Sequence, residues 1–268
     1  EVSRFRSVSP AASLSVPIPA PARGRAEITS FYGQLNAAVI AGLTLTAGVR
    51  NDDHSRYGGK TLFAGGGAWA LPTGTVFRAS YSEGFKAPTL YQLFSEYGNQ
   101  ALRPERANGW EAGVEQRFLD GHVALGATYF ERRSNDLIIY NGCSTGAIDS
   151  MCLVPGSTTQ RRFGYYKNVS RAFANGIEAA GHVALGKRLT IDGNYSWTAS
   201  EDRSPGVATF GRQLPRRPRH AWNASADYSF PGGPSFGAAV RWSGDTFDSA
   251  TSNVVLASYT LVDLRAEL

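Results

Sequence analysis

Four histidines, His54, His122, His182 and His220, are spread along the chain with no spacing that would gather them around one metal ion. No Ser/His/Asp arrangement stands out either, so no catalytic residue, metal or cofactor is assigned and no enzymatic activity is expected. Gly65-Gly66-Gly67 has the composition of a phosphate cradle. It lies inside a strand-like pattern with no helix after it, and a phosphate loop needs that helix N-terminus. Asn168-Val169-Ser170 and Asn223-Ala224-Ser225 fit a glycosylation pattern that is common by chance. A net charge of +5 and a pI of about 9.3 raise nucleic-acid binding. The basic residues are scattered, however, and the one cluster, Arg212, Arg216, Arg217 and Arg219, is broken by Pro215 and Pro218, so it is no recognition helix. Cys143 and Cys152, the only two cysteines, lie close together in a polar stretch and predict a loop disulfide in an oxidising compartment.

The elements that must position these residues are strands. The 268 residues suffice for one large β domain or two smaller ones. Charged residues make up 18%, below the roughly 25% of soluble domains, and aromatic residues 12%. No apolar run reaches the length of about eighteen residues that a membrane helix needs. A mean hydropathy of −0.24 does not separate a soluble sheet from a membrane barrel, where only every second strand residue faces lipid. Residues 1–25, with Pro10, Pro17, Pro19 and Pro21, read as an irregular lead-in. Glu1–Arg6 has no apolar signal-peptide region, which implies a mature sequence or a fragment.

From residue 26 to 268, segments of about ten residues alternate apolar with polar or small side chains, as half-buried strands do. Phe31, Gly33, Leu35 and Ala37 share one face, and Tyr32, Gln34 and Asn36 the other. The pattern recurs in Leu43–Val49 and again around Phe77, Trp110, Leu125, Ile191, Trp222, Val240 and Leu264. It predicts about eleven antiparallel strands with Phe31, Leu35, Leu45, Val114, Leu125, Ile191, Ala226 and Val240 on the convex outer face. Short connections near Ala41, Pro72, Asp120, Lys187 and Gly232 alternate with long ones near Asp53, Gln92, Gly146, Arg203 and Ser249. Tight turns at one end and long loops at the other are the habit of a transmembrane β-barrel. Trp69, Tyr81, Trp110, Tyr129, Tyr140, Tyr195, Trp197, Trp222, Tyr228, Trp242 and Tyr259 lie near strand ends, as rings of a bilayer interface belt would.

The stretch Phe77–Phe94, with Gly84-Phe85-Lys86-Ala87-Pro88, and its continuation Tyr97–Glu115, with Leu102-Arg103-Pro104-Glu105, resemble the barrel of TonB-dependent outer-membrane receptors. So do Tyr166–Val169 with Asn175–Glu178, and Tyr259–Leu264. In appearance the chain sits nearest to vitamin B12 (cobalamin) receptors. Pro88 and Pro104 suit the points where a strand leaves its ladder. Glu111 and Glu115 are expected to face the lumen, within reach of Arg78 and Arg117.

The resemblance implies an all-β barrel of twenty-two strands filled by an N-terminal plug. This chain would be a partial barrel of about half that size, beginning after the plug and unable to transport alone. It implies a cell outer membrane location in a Gram-negative bacterium, with outer-membrane lipid around the wall. The transported ligand would be cobalamin or a ferric siderophore, and TonB would be contacted only through the plug. Ligand contacts are expected in the long loops from Tyr91, Phe94, Tyr97, Arg103, Tyr140, Phe163 and Tyr165. A passive porin or structural barrel and a soluble β-sheet binding module are the alternatives.

Overall fold

A computed structural model describes residues 1–7, 22–143, 150–153, 160, 162–168, 171–248 and 254–268. The alternating segments fold as strands, with successive side chains on opposite faces. In chain order the elements are β1 (Val2–Ser7), β2 (Ala22–Ile40), β3 (Leu43–His54), β4 (Gly58–Ala70), β5 (Thr75–Lys86), helix α1 (Leu90–Phe94), β6 (Glu105–Phe118) and β7 (Val123–Asn135). There follow β8 (Ile138–Gly142), β9 (Gly164–Asn168), β10 (Ala172–Leu185), β11 (Leu189–Asp202), β12 (His220–Ser229), β13 (Ser235–Ser243), β14 (Thr246–Phe247), β15 (Val255–Leu256) and β16 (Tyr259–Glu267). Twelve of these form one antiparallel sheet in the order β1-β2-β3-β4-β5-β6-β7-β10-β11-β12-β13-β16, while β8-β9 and β14-β15 are separate two-stranded ribbons inside long connections. Among the described residues no pairing joins β1 to β16, so the sheet is a continuous wall with two edges.

The strand count departs from the expected eleven because Val2–Ser7, expected to be irregular, pairs with Ala22–Glu27. Six residues of mixed polarity next to a proline-rich stretch carry too little alternation to announce a strand. The prolines of that stretch lie outside the described residues. Most of the polar stretch Asp52–Gly59, expected as a long connection, is strand, with only residues 55–57 turning between β3 and β4. Tight turns close the other end. Gly42 (φ 77°) and Gly74 (φ 79°) adopt the left-handed backbone that favours glycine, and a Cβ on Gly42 would run into the Ala70 carbonyl.

Register explains the alternation row by row. Leu43, Trp69, Phe77, Val114, Ala127, Ala179, Tyr195, Trp222 and Trp242 stand side by side across nine strands. The adjacent row on the opposite face is Thr44, Ala68, Arg78, Gly113, Thr128, Glu178, Ser196, Ala221 and Ser243. One face is therefore apolar and the other polar or small. The polar face is the concave one. Its side chains Gln34, Thr44, Thr46, Arg78, Ser80 and Glu111 are among those that line a hollow of about 450 Å³ over β2–β6. A hollow of about 490 Å³ on the concave side is lined by Arg78, Glu115, Thr128, Glu178, Asn194 and Ser196, among others.

The sheet has no interior of its own. Among the described residues the buried apolar side chains are Leu90, Leu93, Leu102, Cys152 and Tyr165, all in the long connections. Phe31 (73%), Leu35 (67%), Leu125 (52%), Leu45 (44%), Val114 (41%) and Ile191 (39%) are exposed on the outer face. Ala226 and Val240 share that face by register and are partly covered. A soluble sandwich would bury such residues against a second sheet.

Rings gather on the outer face in two belts. Tyr81, Trp110, Tyr129, Tyr195, Trp197, Trp222 and Trp242 lie toward the long connections, with Trp110 and Tyr129 centroids 5.3 Å apart. Trp69, Phe77, Tyr228 and Phe236 lie toward the short turns. Two rings expected in the belts are elsewhere. Tyr140 belongs to the β8-β9 ribbon, and Tyr259 pairs with Ser243 and so stands on the polar face.

Candidate functional site

At the end of the wall that carries the long connections, the segment between β5 and β6 folds back over the concave side. Pro88 stops the β5 ladder, and Thr89 caps α1 with a reciprocal capping box to Gln92. Leu90 and Leu93 on α1, with Leu102 beyond it, form the small buried core of this lid. Hydrogen bonds moor it to the β3–β4 turn on one side and to the β8-β9 ribbon on the other. Tyr57 donates its hydroxyl to the Leu102 carbonyl (3.1 Å), Arg56 donates to the Gln100 carbonyl (2.7 Å), and the Tyr166 N–H donates to the Tyr97 carbonyl (2.9 Å). Phe94 packs on Gly24 of β2, where a Cβ would collide with the ring, and the Arg56 guanidinium lies 5.7 Å above the Phe94 centroid.

The family-like motif residues have structural posts here. Lys86 pairs with Glu105 at 3.3 Å, and the same carboxylate accepts the Ile138 N–H at 2.9 Å, tying β5, β6 and the β8-β9 ribbon together. Gly84 and Phe85 lie in β5 opposite Ala107 and Arg106, and Ala87 leads into Pro88. Leu102 is buried, with Pro104 directly before β6. Deeper on the concave face, Glu111 accepts from Ser80 at 3.0 Å, and Glu115 is held between Arg117 (2.7 Å) and Arg78 (2.9 Å). Both carboxylates thus face the lumen side as expected.

The long connection after β7 holds the Cys143–Cys152 disulfide, with Cα atoms 5.7 Å apart. Its β8-β9 ribbon places Tyr140 directly opposite Tyr166. From there runs an unbroken line of aromatic contacts. Tyr97 meets Tyr140 at 5.5 Å, Tyr140 meets Tyr166 at 5.8 Å, Tyr166 meets Tyr91 at 6.1 Å, and Tyr91 meets Phe5 of β1 at 6.0 Å. All four are edge-to-face, within twenty degrees of perpendicular, a favoured arrangement for ring pairs. Burial raises the hydroxyls of Tyr97, Tyr140 and Tyr166 above their ordinary value. The Glu96 carboxylate adds to the shift at Tyr97 and Tyr140, and neighbouring tyrosines add at all three. They are therefore neutral phenols at pH 7, presenting a ring face and a polar handle together.

Of the seven loop residues expected to meet a ligand, Tyr91, Tyr97 and Tyr140 come together in this line. Of the other four, three take structural posts. Tyr165 is buried at 5% exposure, on the opposite side of β9 from Tyr166. Phe94 packs into the lid, and Arg103 is ion-paired to Asp136 at 2.5 Å. Phe163 is exposed just before β9, outside the aromatic line. Sequence reasoning missed Tyr166 and Phe5. The signal for Tyr166 was present, since two tyrosines in succession must face opposite sides once a ribbon is assumed there.

Farther along the rim, Asp202 at the end of β11 locks the next long connection. Its carboxylate accepts from the Ser204 N–H (2.8 Å), the Ser204 hydroxyl and the Thr209 hydroxyl (2.6 Å). Burial alone would raise this carboxyl; the three donors override it, and its pKa is lowered. The arginine cluster serves the same segment. Arg216 pairs with Asp248 at 2.8 Å, and Arg219 donates to Gln213 at 3.0 Å.

Comparison with solved structures places the fold. The chain matches a mutant of the ferric enterobactin receptor PfeA from Pseudomonas aeruginosa in complex with enterobactin, with 23% identity, a TM-score of 0.75, and coverage of 91% of this chain and 38% of that one. It matches the siderophore receptor PirA from the same organism at 20% identity and a TM-score of 0.66, covering 91% of this chain and 40% of that one. It also matches P. aeruginosa FpvA bound to heterologous pyoverdines at 19% identity and a TM-score of 0.67, covering 92% and 33%. The chain thus spans between 33% and 40% of the length of these proteins. The family model for the TonB-dependent receptor-like β-barrel matches residues 3–268, and with apolar wall, polar concave face and folded long loops all in place, the chain belongs to that family.

Proposed function

We propose that this chain supplies barrel wall and outer loops to an outer-membrane receptor that captures a ferric siderophore and passes it inward with energy delivered through TonB. The observation that carries the reading is the line Tyr97–Tyr140–Tyr166–Tyr91–Phe5, held over the concave polar face by a moored lid. Such a line offers ring faces to planar ligand groups and neutral phenols to their oxygens. The solved structures it resembles include receptors for ferric enterobactin and pyoverdine, which supports a siderophore over cobalamin. The exposed apolar outer face between two aromatic belts supports placement of the wall in outer-membrane lipid. TonB would act through a plug segment rather than through this wall.

The test uses the complete receptor. Tyr91→Ala, Tyr140→Ala and Tyr166→Ala are made together, and binding of ferric enterobactin and of cyanocobalamin is followed by quenching of intrinsic fluorescence. Each ring contributes about 0.5–1.5 kcal/mol beyond its buried area, so the triple variant should bind ferric enterobactin roughly tenfold or more weakly. Undiminished affinity in the variant, or wild-type binding of cyanocobalamin alone, would sink the siderophore reading.

A further inference from the structure

The outer face changes chemistry abruptly above its aromatic belt. In the row Ala112, Tyr129, Ile177 and Trp197 it is apolar. Four residues farther along each strand, the row Asn108, Arg133, Phe173 and Glu201 carries an amide and two charges beside one ring. At a rise of about 3.3 Å per residue the two rows are separated by about 13 Å along the strands. That places the second row at the depth of lipid headgroups if the belt marks the interface. Arg106 flanks this row from β6, and Arg171 and Arg203 flank it from the ends of β10 and β11.

A hollow of about 490 Å³ here is lined by Asn108, Arg133, Asn135, Arg171, Phe173 and Arg203, among others, with Arg106 next to Asn135 across the β6-β7 pairing. Its charge is unbalanced. Arg133 pairs with Glu131 (2.8 Å) and Arg203 with Glu201 (2.7 Å), but among the described residues no ion pair takes up Arg106 or Arg171. The paired arginines remain 66% and 49% exposed, so both can still turn donors outward. The Arg203 guanidinium carbon also lies 5.8 Å from the Phe173 ring centroid. At the corresponding end of β3–β5 the outer face carries Asp53 and Glu83 instead, so the basic hollow is local to β6–β11.

We propose that this hollow binds the phosphate of a phosphorylated outer-leaflet lipid, whose acyl chains would lie down the apolar face over Tyr129 and Ile177. Planar guanidinium groups match a phosphate bidentately, and the apolar row below supplies what a free anion would not use. The inference rests on the outer-membrane placement proposed above.

The experiment reconstitutes the complete receptor in phosphatidylcholine vesicles containing lipid A, re-extracts it in detergent and quantifies retained lipid A by mass spectrometry. Arg133→Gln, Arg171→Gln and Arg203→Gln are combined in one variant, and Arg117→Gln on the concave face is the control. Retention should fall roughly tenfold or more in the triple variant and stay unchanged in the control. Dephosphorylated lipid A should be retained no better by wild type than by the variant. Equal retention of lipid A by wild type and triple variant overturns the proposal while leaving the membrane placement standing. Displacement of bound lipid A by millimolar inorganic phosphate overturns it too, by making the site one for the free ion. Failure of the wild type to insert into vesicles overturns the placement and this inference together.

Discussion

The two faces of the wall come from the same twelve strands and handle charge in opposite ways. On the concave face Arg78, Glu115 and Arg117 form a three-membered ion-paired group, and Arg265 pairs with Asp227. On the convex face the rows between the belts hold no charged side chain, for example Leu43 through Trp242. Both faces are exposed, so burial within the protein does not explain the contrast. On the outer-membrane placement proposed above, what differs is the solvent each face meets. A charge that costs little in water costs several kcal/mol in hydrocarbon, where it must stay unsolvated or drag water in. Because neighbouring residues along a strand alternate faces, a slip of one residue would exchange both chemistries at once, and that penalty fixes the register.

The sharpest way to break the comparison is to move a charge across it. Leu125→Arg, at mid-height of the outer face, should destabilise the complete receptor folded into phosphatidylcholine vesicles by about 2–4 kcal/mol. Thr128→Arg, on β7 but facing the concave side, should change it by less than about 0.5 kcal/mol. Equal costs at the two positions, read from urea-dependent folding, would mean that the faces do not meet different solvents.

A middle-sized effect belongs to the rim, where Asp202 holds its loop. Because the folded carboxyl titrates below its ordinary value of about 3.9, the ionised form is the stabilising one. The contribution is fully present above the ordinary value and is lost as pH falls through the lower folded one. Asp202→Asn removes the charge and one acceptor, and should ease local opening of residues 203–219 by about 1–3 kcal/mol. Hydrogen exchange of the Ser204 and Thr209 amides measures this. In the wild type protection should hold from neutral pH down to about pH 4 and fall below it. Protection that is indifferent to both the substitution and acid would remove Asp202 from its role as the lock.

The same contrast decides what was legible in the sequence. The wall was, because Leu43–Val49 or Leu125–Tyr129 each repeat one rule, apolar on one face and polar or small on the other, at every second residue. Val2–Ser7 escaped because its six residues contain Phe5 as the single large apolar side chain. The mouth was legible only in part. Tyr91, Tyr97 and Tyr140 were named from being aromatic and in long connections, a criterion that equally selected Phe94 and Tyr165, which the fold spends on packing. Tyr166 meets Tyr140 only through the β8-β9 pairing, and Phe5 meets Tyr91 only because α1 folds back over β1. Loop–loop contacts of that kind follow from tertiary closure and leave no period in the chain.

The smallest expected effect tests the aqueous side of the comparison. Arg241 of β13 and Asp263 of β16 sit diagonally on the concave face, 3.7 Å apart, with side chains 65% and 68% exposed. At that exposure the attraction is screened by water and salt, and ordering two flexible side chains offsets much of what remains. Arg241→Gln should therefore shift the folding free energy of the complete receptor by less than about 0.5 kcal/mol, and still less at high salt. The Arg78–Glu115–Arg117 group, shorter in distance and with Glu115 only 22% exposed, should respond more strongly to Arg78→Gln. A loss of about 2 kcal/mol or more at Arg241 would show a desolvated pair in place of a hydrated one. In that case the concave face would be covered by a tightly fitting partner segment at this edge, and the tolerance of that face for charge would have to be ascribed to specific pairing.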